Sequence, residues 1–177
     1  MKTCFKLLLL STLMFALSCD KESITDPIQE NLTATNAKGG KQVTRPVSIS
    51  LEALGNFNGT QADFWGKMTH AGKISGQSFY ASFVFTGPGT ATYTSDEDIV
   101  YAANGDEVHS YSVFYYTFSS ATEATYTGTT IVDGGTGRFE GATGSMEIVG
   151  SYTITSEDIF GAPLGISKHT GHGTITY

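Results

Sequence analysis

The sequence predicts an all-β fold, and within that class an eight-stranded antiparallel up-and-down closed barrel of the calycin type. From residue 43 onward, apolar and polar residues alternate with a period of two, which is typical of strands with one buried face. Turn signals divide this region at regular intervals, and no helical apolar stripe interrupts it. Closure removes the two unprotected edges of such a sheet, and the 21 glycines let strands bend at barrel corners. A two-sheet sandwich is the competing architecture.

The first four predicted strands are rich in residues that favour pleated sheets. They span residues 44–54, 60–70, 76–86 and 90–102. In the first, Val47, Ile49 and Leu51 alternate with polar residues. The fourth loses its alternation at the acidic residues 96–98, which predicts a solvated bulge rather than a calcium or acid–base site.

The last four predicted strands span residues 107–118, 122–132, 145–155 and 169–177. Asn104-Gly105 predicts a two-residue type I′ hairpin, a turn in which both central residues need positive φ. The fifth strand is aromatic on both faces, with Tyr111 on one and Phe114 and Tyr116 on the other. One face must be core or lumen. The other, joined by Trp65, is exposed or is covered by a partner such as a second copy.

The N-terminus predicts export and lipid anchoring. Residues 1–18 combine a charged start, an apolar run too short to span a bilayer and a small residue before Cys19. This arrangement resembles the bacterial lipobox, which implies that Cys19 becomes the acylated N-terminus. The following Asp-Lys-Glu resembles the surface-export tag of Bacteroidetes lipoproteins. The predicted organisation is a leader at 1–18, a lipidated and disordered tether at 19–42 and the barrel domain at 43–177.

The net charge and the cysteine content limit which binding partners and cross-links the sequence predicts. The formal net charge is −7, and the leader removes two lysines and no acid, so nucleic acid is not an expected partner. The expected membrane contact is the lipid anchor, which gives an outer-membrane lipoprotein exposed at the cell surface. With Cys4 removed and Cys19 acylated, the domain has no disulfide. No cofactor is predicted. No metal site is predicted either, because His169 and His172 fall on opposite faces of a strand and cannot easily share an ion, even if His109 is added to the set.

A glycine-rich segment is the most distinctive motif of the predicted domain. Residues 131–144 read Ile-Val-Asp-Gly-Gly-Thr-Gly-Arg-Phe-Glu-Gly-Ala-Thr-Gly, in which glycines permit tight reversal and the Phe can plug a barrel end. This turn motif, together with the hairpin before the fifth strand, comprises Asn104, Gly105, Gly134, Gly135, Gly137, Phe139, Gly141 and Gly144.

The segment 131–144 resembles a motif of the allene oxide cyclases and the related dirigent proteins. Residues 69–73 (Thr-His-Ala-Gly-Lys) and 102–107 (Ala-Ala-Asn-Gly-Asp-Glu) are similar to stretches of the bacterial branch of that superfamily. The resemblance covers roughly residues 45–177 and implies an eight-stranded barrel with a lumen. It does not imply one activity, because the plant cyclases isomerise a fatty-acid epoxide whereas dirigent proteins steer radical coupling.

The alternation of apolar and polar residues predicts which side chains point into the barrel lumen. The candidates for ligand binding are Glu52, Phe64, His70, Phe83, Tyr111 and Tyr126. His70 follows Met68 on the face predicted to point inward, where it is either a proton shuttle or an imidazole bonded to backbone or to Asp106.

Three functions are consistent with this pattern. The leading hypothesis is a non-catalytic surface lipoprotein whose barrel binds a small apolar ligand or has an interaction or structural role. The second is an isomerase or lyase acting on an apolar, lipid-like substrate, with His70 or Glu52 as its first catalytic candidates. The third is an adhesin, which would require Trp65, Phe114 and Tyr116 to form one exposed patch.

Overall fold

A computed structural model describes residues 41–56, 60–157 and 163–177, and these ranges fold into eight β-strands and one 3₁₀ turn. The strands are β1 (Thr44–Asn56), β2 (Gln61–Met68), β3 (Gly72–Gly87), β4 (Thr90–Ala102), β5 (Glu107–Phe118), β6 (Glu123–Gly135), β7 (Thr143–Glu157) and β8 (Pro163–Thr176). The 3₁₀ turn, Gly137–Phe139, lies between β6 and β7. Within the described ranges, no helix has the length and apolar composition needed to cross a lipid bilayer.

The sheet closes on itself. Each strand pairs antiparallel with the next, and β8 returns to pair with β1 from Thr44↔Thr176 to Asn56↔Leu164. The predicted closed, eight-stranded, antiparallel up-and-down barrel is therefore confirmed, and the sandwich alternative is wrong. Closure gives each of the eight described strands a hydrogen-bonded neighbour on both sides, which removes the two long open edges of a flat sheet.

The predicted and observed strand boundaries differ most at two strand starts. β3 begins at Gly72 rather than at residue 76, and β8 begins at Pro163 rather than at residue 169. Both early segments contain glycine and serine, whose small side chains give little of the apolar alternation by which strands are recognised. Cross-strand pairing extends the two strands past the point where that pattern stops.

Alternation in β5 settles which of its faces lies inside. Phe114 and Tyr116 are buried, whereas Tyr111 is 39% and Tyr115 60% exposed on the outer face. Trp65 on β2 also faces outward and is 44% exposed. The patch that the adhesin hypothesis requires does not form, because two of its three aromatic residues point into the barrel.

One end of the barrel is sealed by apolar side chains, and we call it the sealed end. Here β1 begins, β8 ends, and the 3₁₀ turn carries Phe139 into the interior with no exposed surface. The Phe139 ring meets the Tyr177 ring edge to face, with 4.9 Å between centroids. The largest fully buried side chains of the described ranges are Phe139, Ile148, Ile175, Val47, Val108 and Val132.

The hairpin between β4 and β5 differs from the predicted type I′ turn. Gly105 adopts a left-handed φ of 87°, but Asn104 does not have positive φ. Ala102 N donates to Asp106 O at 2.9 Å, and Gly105 N donates to Ala102 O at 3.0 Å. The loop therefore contains three residues rather than two, a class of hairpin that needs a left-handed residue only at its last position.

The glycine segment joins this hairpin at the sealed end. Thr136 N donates to Glu107 O at 2.9 Å, and the Arg138 guanidinium lies 3.3 Å from the Asp106 carboxylate. Gly137 has a left-handed φ of 59°, and a side chain there would overlap Asp106. The glycine segment 131–144 and the 102–107 hairpin thus contact each other.

The neighbouring glycines Gly134 and Gly135 should respond differently to alanine. A Cβ at Gly135 would overlap the backbone oxygen of Glu107 and lie 2.8 Å from that of Phe139, whereas a Cβ at Gly134 would make an ordinary contact with His109 at 3.9 Å. We expect Gly135→Ala to lower the free energy of unfolding by about 1–3 kcal/mol and Gly134→Ala to change it by less than about 0.5 kcal/mol, measured by urea denaturation. Equal effects of the two substitutions would contradict this packing.

Candidate functional site

Inward-facing side chains leave a cavity of about 110 Å³ in the barrel lumen. All eight strands contribute residues to its wall, and Phe139 of the sealed end is not among them. Representative wall residues, one from each strand in chain order, are Ile49, Phe64, Ile74, Tyr93, Phe114, Tyr126, Met146 and His169. This cavity is the candidate functional site.

Aromatic rings in the cavity wall pack against one another. Tyr93 stacks on Phe114 with 5.5 Å between centroids, and Tyr116 stacks on Tyr126 at 4.6 Å. Phe83 meets Tyr116 edge to face at 5.5 Å. Burial raises the pKa of the Tyr93, Tyr116 and Tyr126 phenols, so these hydroxyls stay neutral and available as hydrogen-bond donors.

Glycines on neighbouring strands make room for these rings. Phe64 lies opposite Gly76 in the β2–β3 register, and Tyr126 lies opposite Gly150 in the β6–β7 register. A Cβ on either glycine would overlap the facing ring. The large side chains therefore lie over neighbouring backbone, which helps a narrow eight-stranded lumen retain some empty space.

A buried carboxylate interrupts the apolar wall on β4. Asp98 is 7% exposed, and both of its oxygens accept hydrogen bonds. Oδ1 accepts one from Ser78 Oγ, and Oδ2 accepts one of 2.5 Å from Ser112 Oγ. Thr130 and Tyr93 hydroxyls bond in turn to these serines, at 2.9 and 2.6 Å. The cluster links β3, β4, β5 and β6. Burial raises the pKa of the Asp98 carboxyl, against the opposing effect of its hydroxyl partners.

An imidazole also lines the cavity, on β8. His169 Nδ1 lies 2.8 Å from the Tyr126 hydroxyl, and the His169 and Phe114 ring centroids are 6.2 Å apart. Burial lowers the pKa of His169 from 6.5 to about 4, so this imidazole is neutral at pH 7. A neutral imidazole has one donor and one acceptor nitrogen, which suits it to hydrogen bonding with a ligand or with Tyr126.

Three of the predicted ligand-binding residues line the cavity. Phe64, Phe83 and Tyr126 all contribute to its wall. Their alternation with polar neighbours predicts that these three side chains point inward, and all three do.

The other three predicted binding residues lie outside the cavity, and their assignment to it is wrong. Glu52 faces outward and pairs with Lys168 across the β1–β8 register at 3.2 Å. Tyr111 is on the outer face of β5. His70 lies beyond the end of β2, in the turn before β3, with a left-handed φ of 71° and its Nε2 2.9 Å from the Pro46 carbonyl oxygen. The isomerase hypothesis built on His70 and Glu52 therefore has no site.

Sequence reasoning missed Asp98 and His169. The acidic run 96–98 does coincide with a bulge, because the β4–β5 register shifts between Thr94 and Asp98. Asp96 and Glu97 are solvated as predicted, but the bulge turns Asp98 inward. His169 is the first residue of the predicted strand 169–177, so the sequence offers no alternation before it that would place it inside.

The residues of the described ranges contain no group of three or more His, Cys, Asp or Glu side chains arranged to hold a metal ion. The inferred separation of two histidines agrees with the geometry: His169 faces the cavity, whereas His172 is exposed and lies 3.1 Å from Ser48 Oγ. Cys19 falls outside the described residues.

Comparison with known proteins identifies no relative. No protein-family model, no curated protein and no solved structure matches the chain. The arrangement of the cavity is therefore the basis on which function can be argued.

The His169 titration tests the burial of this site. Because its folded pKa lies below the unfolded value, the stabilisation is complete above about pH 6.5 and is lost as the pH falls towards 4, by about 1.4 kcal/mol per pH unit. We expect the His169 ring resonances to titrate near pH 4 in an NMR experiment. We also expect His169→Gln to reduce the pH dependence of the unfolding free energy over that window. A midpoint above pH 6 would contradict a buried, neutral imidazole.

Proposed function

We propose that this protein is a lipid-anchored surface protein whose barrel binds a small, largely apolar molecule in its lumen without converting it. The observation that carries the proposal is the cavity of about 110 Å³ with a mainly apolar wall. Cavities of about 150 Å³ lined by apolar side chains take up molecules the size of benzene. The ligand class that fits is therefore one aromatic ring or a short aliphatic chain, not a whole fatty acid.

The wall has the composition that binding sites favour. Aromatic and aliphatic side chains supply contact area, while two polar groups, the Asp98 cluster and the Tyr126–His169 pair, supply orientation. Every buried side-chain nitrogen or oxygen in the described ranges already has a hydrogen-bond partner. The site is thus preorganised, which lowers the entropic cost of binding.

The proposed location rests on the N-terminal sequence. The lipobox-like stretch before Cys19 and the Asp-Lys-Glu after it support acylation and display at the outer face of the outer membrane. The glycine segment 131–144 supports membership of the allene oxide cyclase-like and dirigent-like barrels, with which a closed eight-stranded barrel agrees. The proposed partners are the membrane, through the acyl chains, and the lumen ligand.

One observation favours an isomerase as the second candidate. Asp98 and His169 face the same cavity, and burial shifts their pKa values in opposite directions, up for the acid and down for the imidazole. A buried acid and a neutral imidazole are the kinds of group that general acid–base catalysis uses. An enzyme of this kind would act on an apolar substrate through Asp98 and His169, in place of His70 and Glu52.

Filling the lumen should abolish binding. We expect benzene-saturated buffer to raise the Tm of the protein by roughly 3 °C, because the ligand binds only the folded state. Val100→Phe, which projects a ring into the cavity, should remove this rise. The matched change Val149→Phe, on the outer face where Val149 is 61% exposed, should preserve it.

A second lumen variant keeps the test valid if Val100→Phe does not fold. Ile74→Phe also fills the cavity, and circular dichroism identifies which variants retain the barrel. If benzene fails to raise the Tm of the wild-type protein, or if folded lumen variants respond as well as Val149→Phe, small-molecule binding in the lumen is excluded.

The anchor can be tested with the two cysteines of the chain. In a Gram-negative host that displays surface lipoproteins, we expect mass spectrometry to find a diacylated N-terminal Cys19 and the protein in the outer-membrane fraction. Cys19→Ser should release the protein from that fraction, whereas Cys4→Ser, within the predicted leader, should not. Membrane retention of the Cys19→Ser protein would rule out acyl anchoring.

A further inference from the structure

We propose that the lumen ligand is a small organic ammonium ion, with its charged nitrogen at Asp98 and its apolar part among the aromatic rings. This inference rests on the proposed binding function and names the chemical class that the same cavity selects. It depends on three features: a buried carboxylate without a cation, hydroxyls that all donate towards it, and the aromatic rings beside it.

The first feature is the absence of a positive partner for Asp98. In the part of the chain that the structure describes, the ion pairs are His109–Glu97, His109–Glu107, Arg138–Asp106 and Lys168–Glu52. Of the described residues that line the cavity, none is lysine or arginine. The His169 imidazole, which also lines the cavity, is neutral at pH 7 and cannot supply the charge. A charge buried without a counterion is costly, and a cationic ligand would supply the missing charge.

The second feature is the direction of the hydrogen bonds. Because Ser78 donates its only hydroxyl proton to Asp98, the Tyr93 hydroxyl must donate to Ser78. By the same argument Thr130 donates to Ser112, which donates to Asp98. Both chains therefore point their protons at the carboxylate, an arrangement that favours the ionised form. Burial opposes ionisation by raising the pKa of Asp98, and a bound cation would remove that opposition.

The third feature is the set of rings beside the carboxylate. Tyr93 hydrogen-bonds to Ser78, which contacts Asp98, and Tyr93 stacks on Phe114. Phe114 in turn packs against Tyr126, with 5.3 Å between ring centroids. The faces of tyrosine and phenylalanine rings attract an organic cation, most strongly when the cation is desolvated. The formal net charge of −7 also favours the approach of cations over anions.

Benzylamine and benzyl alcohol separate this inference from the general proposal. They share a ring and nearly the same size, but benzylamine carries a positive charge at pH 7. We expect isothermal titration calorimetry to show benzylamine binding the wild-type protein at least tenfold more tightly than benzyl alcohol. Asp98→Asn should bring the two dissociation constants within about threefold of each other. Asp133→Asn, the same change at an exposed position on β6, should retain the tenfold preference.

Each result has a distinct meaning. Equal affinities for the two probes in the wild-type protein overturn the ammonium inference but leave lumen binding intact. A tenfold preference that survives in Asp98→Asn also overturns it, because the charge would then be recognised elsewhere. If neither probe binds and benzene gives no rise in Tm, the binding function itself fails. The wild-type comparison needs no variant, so the test holds even if Asp98→Asn does not fold.

Discussion

The pairing of β8 with β1 is the constraint on which the rest of the molecule depends. Once eight strands close, every second side chain must enter a lumen of limited width. A slip of one residue would turn a whole strand inside out, so a polar residue at an inward position stays there. Asp98 and His169 therefore find their partners inside the barrel, on Ser78, Ser112 and Tyr126.

The sequence motifs and the cavity lie in different parts of the barrel. Residues 69–73, 102–107 and 131–144 all lie at the sealed end, where Arg138 contacts Asp106 and His70 contacts the Pro46 carbonyl oxygen. These contacts close the barrel and do not include residues of the cavity wall. A fold alone predicts no single activity, because function depends on the residues of the site that the fold carries.

The strands and their closure were readable because alternation and turn residues are local signals. Phe64 and Tyr126 could be placed inside for the same reason. Tyr111 could not, since both faces of β5 are aromatic and composition alone does not choose between them. His70 was misplaced because β2 ends two residues earlier, and Asp98 because the bulge before it changes which residues point inward. The last two errors occur where the period of two is interrupted. Loss of alternation marks the bulge at residues 96–98, but it does not show which of those residues turns inward.

The free-energy cost of burying the Asp98 carboxylate also bears on the choice of ligand. Replacing a buried charge and its partners with apolar side chains of similar volume is often neutral or stabilising, so a fully apolar lumen would serve the fold at least as well. In the proposed complex, a neutral ligand of the same shape would leave the carboxylate desolvated and without a counterion, and would bind more weakly for that reason. The rings would supply affinity for many small molecules. The Asp98 carboxylate would then decide which of those molecules binds most tightly.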